Sequence, residues 1–311
     1  MVKLSFSKQT LIKVTFVFLI LLCIFPFVAA PLALLLGIAF SLSTGNPFQE
    51  KTGRLTHKLL QFSVIGLGFG MNAMAALDAG KKGFIFTVSG IAFTFTFGFV
   101  ISRILKVDRK TSYLISAGTA ICGGSAIAAV APVIDAKHEN TSVALGVVFI
   151  LNSIALLVFP AVGHHFHLSE GQFGLWSAIA IHDTSSVVGA SAQYGKSALA
   201  TATTIKLARA LWIIPVALAS GFAFRSNIKK VKIPYFIFAF FAAMILNTYL
   251  PFLSPLSGII YQIAKRGLVV TLFLIGANLS RSTLKTVGIR PFVLGILLWL
   301  AVSSVSLFFV V

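Results

Sequence analysis

The sequence predicts an all-α polytopic membrane protein that forms a single transmembrane domain over residues 1–311. Of these residues 58% are hydrophobic and only 10% are charged, and the mean hydropathy is +0.98. A soluble domain carries about 25% charged residues. The apolar residues form long continuous runs, which excludes the alternating pattern of an outer-membrane barrel. We therefore expect a bundle of helices that crosses the bilayer many times.

About eleven apolar spans follow one another along the chain. About 20 residues cross a typical hydrocarbon core. The spans lie at residues 12–28, 30–43, 57–77, 83–104, 112–134, 141–162, 171–194, 199–224, 233–250, 256–279 and 288–311. The longest loop, Ser43–Arg54, is too short to hold a soluble domain.

The basic residues predict that the N-terminus is inside and the C-terminus outside. Seventeen Lys and Arg residues fall in loops on the side of the N-terminus and four fall on the other side, and loops rich in Lys and Arg stay in the cytoplasm. If spans 112–134 and 171–194 are re-entrant hairpins, nine crossings remain and both ends keep their sides. The loops that then change side, 135–140 and 163–170, share only Lys137, so both span counts stay open.

Several other classes are not expected. The net charge of +18 arises from cations that stand between apolar spans, so nucleic acid is not an expected partner. Cys23 and Cys122 lie far apart and form no metal or redox spacing. The sequence has no HExxH, Walker or GxSxG motif. We expect neither an enzyme nor a bound metal or cofactor.

The most unusual stretch is Ile179–Ser191, IAIHDTSSVVGAS. An ionised Asp in the bilayer core costs roughly 3 kcal/mol on insertion scales and is tolerated where it faces a polar cavity or a partner. Asp183 is the only carboxylate expected deep in the membrane. We predict that Asp183, with His182, binds a coupling ion, and that the hydroxyls of Thr184, Ser185 and Ser186 contact substrate. An ion pair inside the bundle is the structural alternative for Asp183.

A second polar break, Gly123-Gly124-Ser125, lies in the middle of span 112–134. Each Gly lowers helix stability by about 1 kcal/mol relative to Ala, and close helix packing is the simpler explanation of a Gly pair. Two interrupted helices at mid-depth are, however, the sequence signature of a transporter site. We therefore predict that Gly123, Gly124 and Ser125 also belong to a substrate site.

Two cations in span 199–224 share a helix face because they are three residues apart. Lys206 and Arg209 lie about two and three turns into the span, and with Asp183 they leave a local excess of positive charge that suits an anion. Alternatively, one cation pairs with Asp183 while the other reaches the interface. Asn152, in the middle of its own span, is a further candidate for the cavity.

A weak internal repeat relates Leu59–Phe84 to Gly267–Phe292. The two segments align without gaps, with Gly68 matching Gly276 and Lys82 matching Arg290. They run in opposite directions under the eleven-span count, as an inverted repeat requires. Chance similarity between two apolar helices is the alternative.

Three blocks resemble those of a known family. AICGGSAIAAVAPVI (Ala120–Ile134), WSAIAIHDTSSVVGAS (Trp176–Ser191) and TIKLARALWIIPVAL (Thr204–Leu218) resemble the YeiH-type family of predicted sulfate exporters. Ser185-Ser186 stands where family members more often have Ala-Gln. The resemblance, which covers most of the chain from the second span on, implies a multi-pass protein of the bacterial inner membrane. It also implies inverted repeats, crossed broken helices and an elevator-like motion.

The sequence therefore favours a secondary transporter of a small anion such as sulfate, sulfite or a sulfonate, coupled to H⁺ or Na⁺. In this prediction Lys206 and Arg209 supply counter-charge to the anion. A cation/proton antiporter and an anion channel are the alternatives. The sequence is also compatible with a homo-oligomer.

Overall fold

A computed structural model describes residues 8–224, 235–278 and 288–311, and these residues form helices and no β-strand. In chain order the helices are α1 (Lys8–Ile24), α2 (Ala30–Thr44), α3 (Gln49–Gly68), α4 (Ala73–Ile104), α5 (Arg109–Ala120), α6 (Gly124–Val130), α7 (His138–His165), α8 (Glu170–Ala180), α9 (Thr184–Tyr194), α10 (Lys196–Ala210), α11 (Ile213–Ala223), α12 (Tyr235–Tyr249), α13 (Ser254–Asn278) and α14 (Ile289–Val310).

Many of these helices are long and apolar enough to cross a membrane. Five described segments qualify by length and composition: Gly83–Ile104, Glu139–His165, Lys196–Ala223, Pro255–Asn278 and Ile289–Val310. A 22-residue helix extends about 33 Å. Shorter apolar helices lie at Gln9–Ile24, Pro31–Thr44 and Tyr235–Tyr249. The fold is that of a multi-pass membrane protein.

The segment that contains α5 and α6 folds back on itself. The Asn140 side-chain amide donates hydrogen bonds to Asp108 Oδ2 and to Thr111 Oγ1, each at 2.9 Å. Lys110 Nζ donates to the carbonyl oxygen of Asp135 at 2.7 Å. Because these bonds join the residues before α5 to those after α6, both ends of the segment lie at one face. We call α5 and α6, with the turn between them, hairpin 1.

The segment that contains α8 and α9 does the same. Glu170 Oε2 accepts the backbone N–H groups of Ser197 at 2.7 Å and Ala198 at 3.2 Å. The Tyr194 hydroxyl donates to the Leu168 carbonyl at 2.6 Å. We call α8 and α9 hairpin 2. In each hairpin the first helix, α5 or α8, is called the outer arm, and the second, α6 or α9, the inner arm. Helix α7, whose 28 residues extend about 42 Å, connects the open end of hairpin 1 to that of hairpin 2, so the two hairpins enter the bundle from opposite faces.

The helices form two bundles. In the first, the scaffold bundle, α13 packs along both α2 and α3, α12 packs on α3, and α1 packs on α13. Helices α2 and α13 touch through their backbones, because a Cβ atom on Gly37 would lie 2.1 Å from the Phe273 carbonyl oxygen and one on Gly276 would lie 2.4 Å from that of Leu34. Only glycine permits this approach.

The second bundle, the site bundle, contains both hairpins. Helix α10 packs on α8, α9 and α4, while α4 and α7 pack on α5 and α14 packs on α8. The Phe159 and Trp176 rings stack with centroids 4.3 Å apart, and Trp176 Nε1 donates to the Ser303 carbonyl at 3.0 Å. Large apolar and aromatic side chains therefore fix the outer arm of hairpin 2 against α7 and α14.

The predicted repeat falls on α3 and α13. The beginning of α3 lies beside the end of α13, since Thr52 Oγ1 donates to Asn278 Oδ1 at 2.7 Å. Farther along, Gly66 lies against Ala264, so the two helices are antiparallel. Residues 279–287 of the aligned segment Gly267–Phe292 lie outside the described residues, and the repeat itself stays a prediction.

Candidate functional site

Both predicted interruptions are present, and each forms the tip of a hairpin. In hairpin 1, α5 ends at Ala120 and α6 begins at Gly124, and Gly123 between them has φ +66°. In hairpin 2, α8 ends at Ala180 and α9 begins at Thr184. The arms of hairpin 2 are 11 residues each, or about 16 Å. This length is about half of a typical bilayer core of about 30 Å.

The two tips meet. A Cβ atom on Gly123 would lie 3.3 Å from Asp183 Cα and 3.3 Å from Val148 Cγ1. The positive φ favours glycine at this position, and the close approach leaves little room for a Cβ atom. The sequence predicted that both breaks belong to one site, and the structure brings Gly123 and Asp183 into contact.

Asp183 is the N-cap of α9. Its Oδ2 atom accepts hydrogen bonds from the backbone N–H of Ser186 at 3.3 Å, from the Ser186 hydroxyl at 3.5 Å and from the Ser185 hydroxyl. A carboxylate is favoured here because unpaired N–H groups give a helix N-terminus a partial positive charge. Asp183 is half-buried, whereas Thr184, Ser185 and Ser186 are buried. The ion pair with Lys206 or Arg209 that we considered for Asp183 is replaced by these local bonds.

Asn152 supports the tip of hairpin 2 from α7. Its Oδ1 atom accepts the backbone N–H groups of His182 at 3.0 Å and Asp183 at 3.2 Å. These are the N–H groups that the interrupted helix leaves without intrahelical partners. Asn152 therefore holds the backbone of the tip.

The two cations of α10 hold the ends of the outer arms. Lys206 Nζ donates to the carbonyls of Ile181 at 2.7 Å and Ala178 at 3.2 Å, at the end of α8. The last carbonyls of a helix have no intrahelical partner and carry partial negative charge, so a cation is favoured there.

Arg209 donates hydrogen bonds to backbone carbonyls of both hairpins. Its Nε atom donates to the Ala120 carbonyl at the end of α5, at 2.7 Å, and its Nη1 atom donates to Ile179 in α8, at 3.3 Å. Lys206 and Arg209 are both 0% exposed. Their predicted place on one helix face is correct, but that face contacts the hairpin backbones.

A cavity of about 570 Å³ lies beside the joined tips, between the site bundle and the scaffold bundle. From the site bundle it is lined by Gly124, Ser125, Asp183 and Ser185, and from the scaffold bundle by residues of α3 and α13. Irregular backbone at membrane depth is tolerated where it is buried in protein or lines a water-filled cavity. Four of the predicted site residues thus share one cavity.

The scaffold wall of the cavity contains polar residues that were not predicted to belong to the site. Asn278 and Thr56 line it. Asn278 Oδ1 accepts from Asn46 Nδ2 at 2.8 Å as well as from Thr52. Its pairing with residues more than 200 positions away carries no local sequence signal.

Several buried polar atoms behind the tips have no partner among the described residues. They include both ring nitrogens of His182, the Asn152 Nδ2 atom and the Arg209 Nη2 atom. Buried polar groups are usually hydrogen-bonded, and exceptions mark functional sites or bound water. His182 is 0% exposed, so it lies behind the cavity wall.

Comparisons with known proteins agree on one family. The family described as conserved hypothetical protein 698 matches residues 10–295. The chain is 53% identical over 309 residues to a UPF0324 membrane protein of Bdellovibrio bacteriovorus, covering 97% of this chain and 95% of the relative. It is 54% identical to one of Bacteroides thetaiotaomicron, covering 91% and 86%, and 47% identical to one of Shewanella oneidensis, covering 96% and 94%. No solved structure matches the chain. Because the match covers nearly the whole sequence, this multi-pass membrane protein belongs to the conserved hypothetical protein 698 family, the YeiH-type family that its sequence blocks resemble.

Proposed function

We propose that the protein is a secondary transporter of a small anion, coupled to H⁺ or Na⁺. The observation that carries this proposal is the meeting of two hairpin tips, from opposite faces, beside a cavity between two bundles. Discontinuous helices that meet near mid-depth form the substrate sites of many secondary transporters. The relatives' names say only that they are membrane proteins.

We further propose nine crossings and two re-entrant hairpins, with the N-terminus inside. The bonds of Asn140 to Asp108 and of Glu170 to Ser197 support this alternative, because each joins the two ends of a hairpin. Lys137 then moves to the side of the N-terminus, which strengthens the positive-inside bias. The cavity lies near the beginning of α3 and the end of α13, which faces the cytoplasm in this orientation.

Within the cavity we assign the anion to the inner-arm ends of the hairpins. The Ser125 hydroxyl and the backbone at Gly124 supply hydrogen-bond donors. The Ser185 hydroxyl, which also lines the cavity, donates to Asp183 and orients that carboxylate. Asp183 binds the coupling ion, since a carboxylate half-exposed to a cavity can exchange a proton or coordinate Na⁺. The role proposed for Lys206 and Arg209 is then counter-charge at a distance, because their donors are directed at backbone carbonyls.

The two bundles suggest how the site is alternately exposed. The hairpins, α7 and α10 form one packed unit, whereas the cavity separates them from α3 and α13. We propose that the site bundle moves as a body against the scaffold bundle and carries the cavity across the membrane.

Flux measurements in proteoliposomes test the proposal. We expect the purified protein to move sulfate, sulfite or a sulfonate when a pH or Na⁺ gradient is imposed. Asp183→Asn should abolish gradient-driven flux, because the amide cannot exchange the coupling ion. Ser125→Ala should raise the anion concentration that half-saturates flux by about tenfold, the effect of losing about one charge-assisted hydrogen bond.

The control is Asp78→Asn, which removes an exposed carboxylate of α4 outside the cavity and should leave flux unchanged. Gradient-driven flux that persists in Asp183→Asn rejects the coupling role. A protein that moves none of these anions under either gradient rejects anion transport.

Cation/proton antiport is the second candidate, and one observation favours it. Among the side chains that the structure describes, Asp183 is the charged one that lines the cavity, and Lys206 and Arg209 are bonded elsewhere. A carboxylate alternating between H⁺ and Na⁺ would then be the transport site itself. Cation-dependent proton movement in vesicles, with no anion flux, would select this function.

A further inference from the structure

A groove of about 810 Å³ opens at the face where hairpin 1 begins, away from the cavity at the tips. It lies between the second half of α4 and the first arm of hairpin 1, with the end of α11 beside it. Its volume is in the range of ligand sites.

Three exposed cations surround its mouth. Arg103, Lys106 and Arg109 all line the groove. The Arg103 guanidinium lies 4.3 Å from the Phe99 ring centroid and that of Arg109 lies 4.8 Å from the Phe224 ring centroid. These contacts hold each guanidinium over an aromatic face while leaving N–H donors free to bind an anion.

The nearby carboxylate does not neutralise these cations by pairing with them. Asp108 Oδ2 accepts the backbone N–H groups of Lys110 and Thr111, at 3.1 and 2.9 Å, and the Asn140 amide at 2.9 Å. The mouth therefore carries an excess of positive charge.

Deeper in, aromatic side chains form one wall of the groove. Phe95 and Phe99 line its wall along α4. The floor is close to the backbone, because a Cβ atom on Gly98 would lie 2.2 Å from Ser116 Oγ. Phe95 and Arg103 are eight residues apart, about 12 Å along the helix. The groove thus joins a cationic mouth to an aromatic wall that continues along α4 away from the mouth.

We propose that this groove binds an anionic phospholipid, with its phosphate at Arg103, Lys106 and Arg109 and one acyl chain against Phe95 and Phe99. Basic pockets between transmembrane helices on the cytoplasmic side bind anionic head groups. Arginine binds phosphate through two parallel N–H donors. The site lies against the outer arm of hairpin 1, so the lipid stabilises the hairpin from outside. This inference rests on the orientation proposed above, but it does not depend on what the protein transports.

Native mass spectrometry and thermal unfolding in detergent test the site. Purified protein is titrated with phosphatidylglycerol, with phosphatidylcholine of the same acyl chains, and with inorganic phosphate. We expect phosphatidylglycerol to bind at least about tenfold more tightly than phosphatidylcholine and to raise the unfolding temperature. Each interfacial cation contributes about a fivefold gain in affinity. The double variant Arg103→Gln with Arg109→Gln should therefore bind phosphatidylglycerol at least about tenfold more weakly.

A matched control removes two other exposed cations, Lys13→Gln with Lys58→Gln, from α1 and α3, and should keep the preference. Ala223→Phe, which fills the groove without changing its charge, should weaken the binding of both lipids. Three results would overturn the proposal. The preference could survive loss of both arginines, it could be lost equally in the control, or inorganic phosphate could compete as strongly as the lipid, which would make this a site for free phosphate.

Discussion

Gly123 joins the two hairpins at the scale of a single residue. Its φ of +66° with ψ of −125° is a conformation that other residues adopt only under strain. A side chain at Gly123 would also press on Asp183 and Val148. The contact between the tips therefore depends on the absence of one Cβ atom.

We predict that Gly123→Ala destabilises the protein by about 1–3 kcal/mol, the range for a strained backbone conformation, and lowers flux by separating the tips. The measurement is thermal unfolding in detergent. The matched control is Gly80→Ala in α4, where a Cβ atom meets nothing within 4 Å; it should gain up to about 1 kcal/mol through helix propensity. Equal stability of the two variants would contradict this account of Gly123.

Lys206 distinguishes a supporting role from direct anion binding. Lys206→Met leaves the carbonyls of Ile181 and Ala178 without their donor. Loss of hydrogen bonds to a charged group costs about 1.5–3 kcal/mol each. We predict a lower unfolding temperature but an anion-induced rise in that temperature that half-saturates within about twofold of wild type.

The control is Lys265→Met, in α13, where the ammonium lies 5.7 Å from the Tyr261 ring centroid. It should lower stability by less than Lys206→Met. If Lys206→Met instead abolishes the anion-induced rise, Lys206 contacts the anion, as the sequence first suggested.

The site residues could be predicted from the sequence where burying a polar group in lipid has a high free-energy cost. Asp183 and the Gly123–Ser125 break stand out from apolar surroundings, and both are at the tips. The partners of Lys206 and Arg209 were not predictable. Sequence spacing predicts that two side chains share one face of a helix. It does not predict which distant backbone carbonyls that face will contact.

At the scale of the helices, the important units are the hairpins and the helix that follows each. Hairpin 1 is followed by α7 and hairpin 2 by α10. Asn152 of α7 holds the tip of hairpin 2, and Arg209 of α10 holds the last turn of the outer arm of hairpin 1. Each connecting helix thus stabilises the other hairpin, so the two halves of the site bundle are mutually dependent.

Labelling with a membrane-impermeant thiol reagent tests the hairpins. In a chain whose Cys23 and Cys122 are replaced, we predict that Lys106→Cys and Lys137→Cys react from one side. Gly171→Cys and Lys196→Cys should react from the opposite side. All four positions are exposed.

Eleven crossings would give the other result, since 106 and 137 would then lie on opposite sides, as would 171 and 196. The sequence left this open for a physical reason. Two hairpins reverse the chain twice, so both ends keep their sides, and the loops concerned carry too few cations for the positive-inside rule. The bonds that close the hairpins join side chains to distant backbone and leave no periodic pattern.

At the scale of the whole molecule, the cavity marks the boundary between two bundles. Leu60 of α3 and Ile275 of α13 line it from the scaffold bundle, and Leu145 of α7 lines it from the site bundle. If the site bundle moves as a body, a link between bundles should stop it, and a link within one bundle should not.

We predict that cross-linking Leu60→Cys to Leu145→Cys with a short bifunctional thiol reagent abolishes flux, and that reduction of a cleavable linker restores it. The matched pair, Leu60→Cys with Ile275→Cys, should remain active when cross-linked. Full activity of the first pair while linked would reject the proposed rigid-body motion.

The packing of α3 also has a consequence for how the chain is assembled during synthesis. Helix α3 contains Glu50, Lys51, Arg54 and Lys58 and is absent from the described segments apolar enough to cross a membrane on their own. Its main partner, α13, is encoded far downstream. At 5–20 residues per second, a ribosome needs roughly 10–40 seconds to travel from one to the other. We expect newly made α3 to stay at the membrane surface, in contact with the insertion machinery, until α13 has been synthesised. Packing against α13 then stabilises α3 within the bilayer.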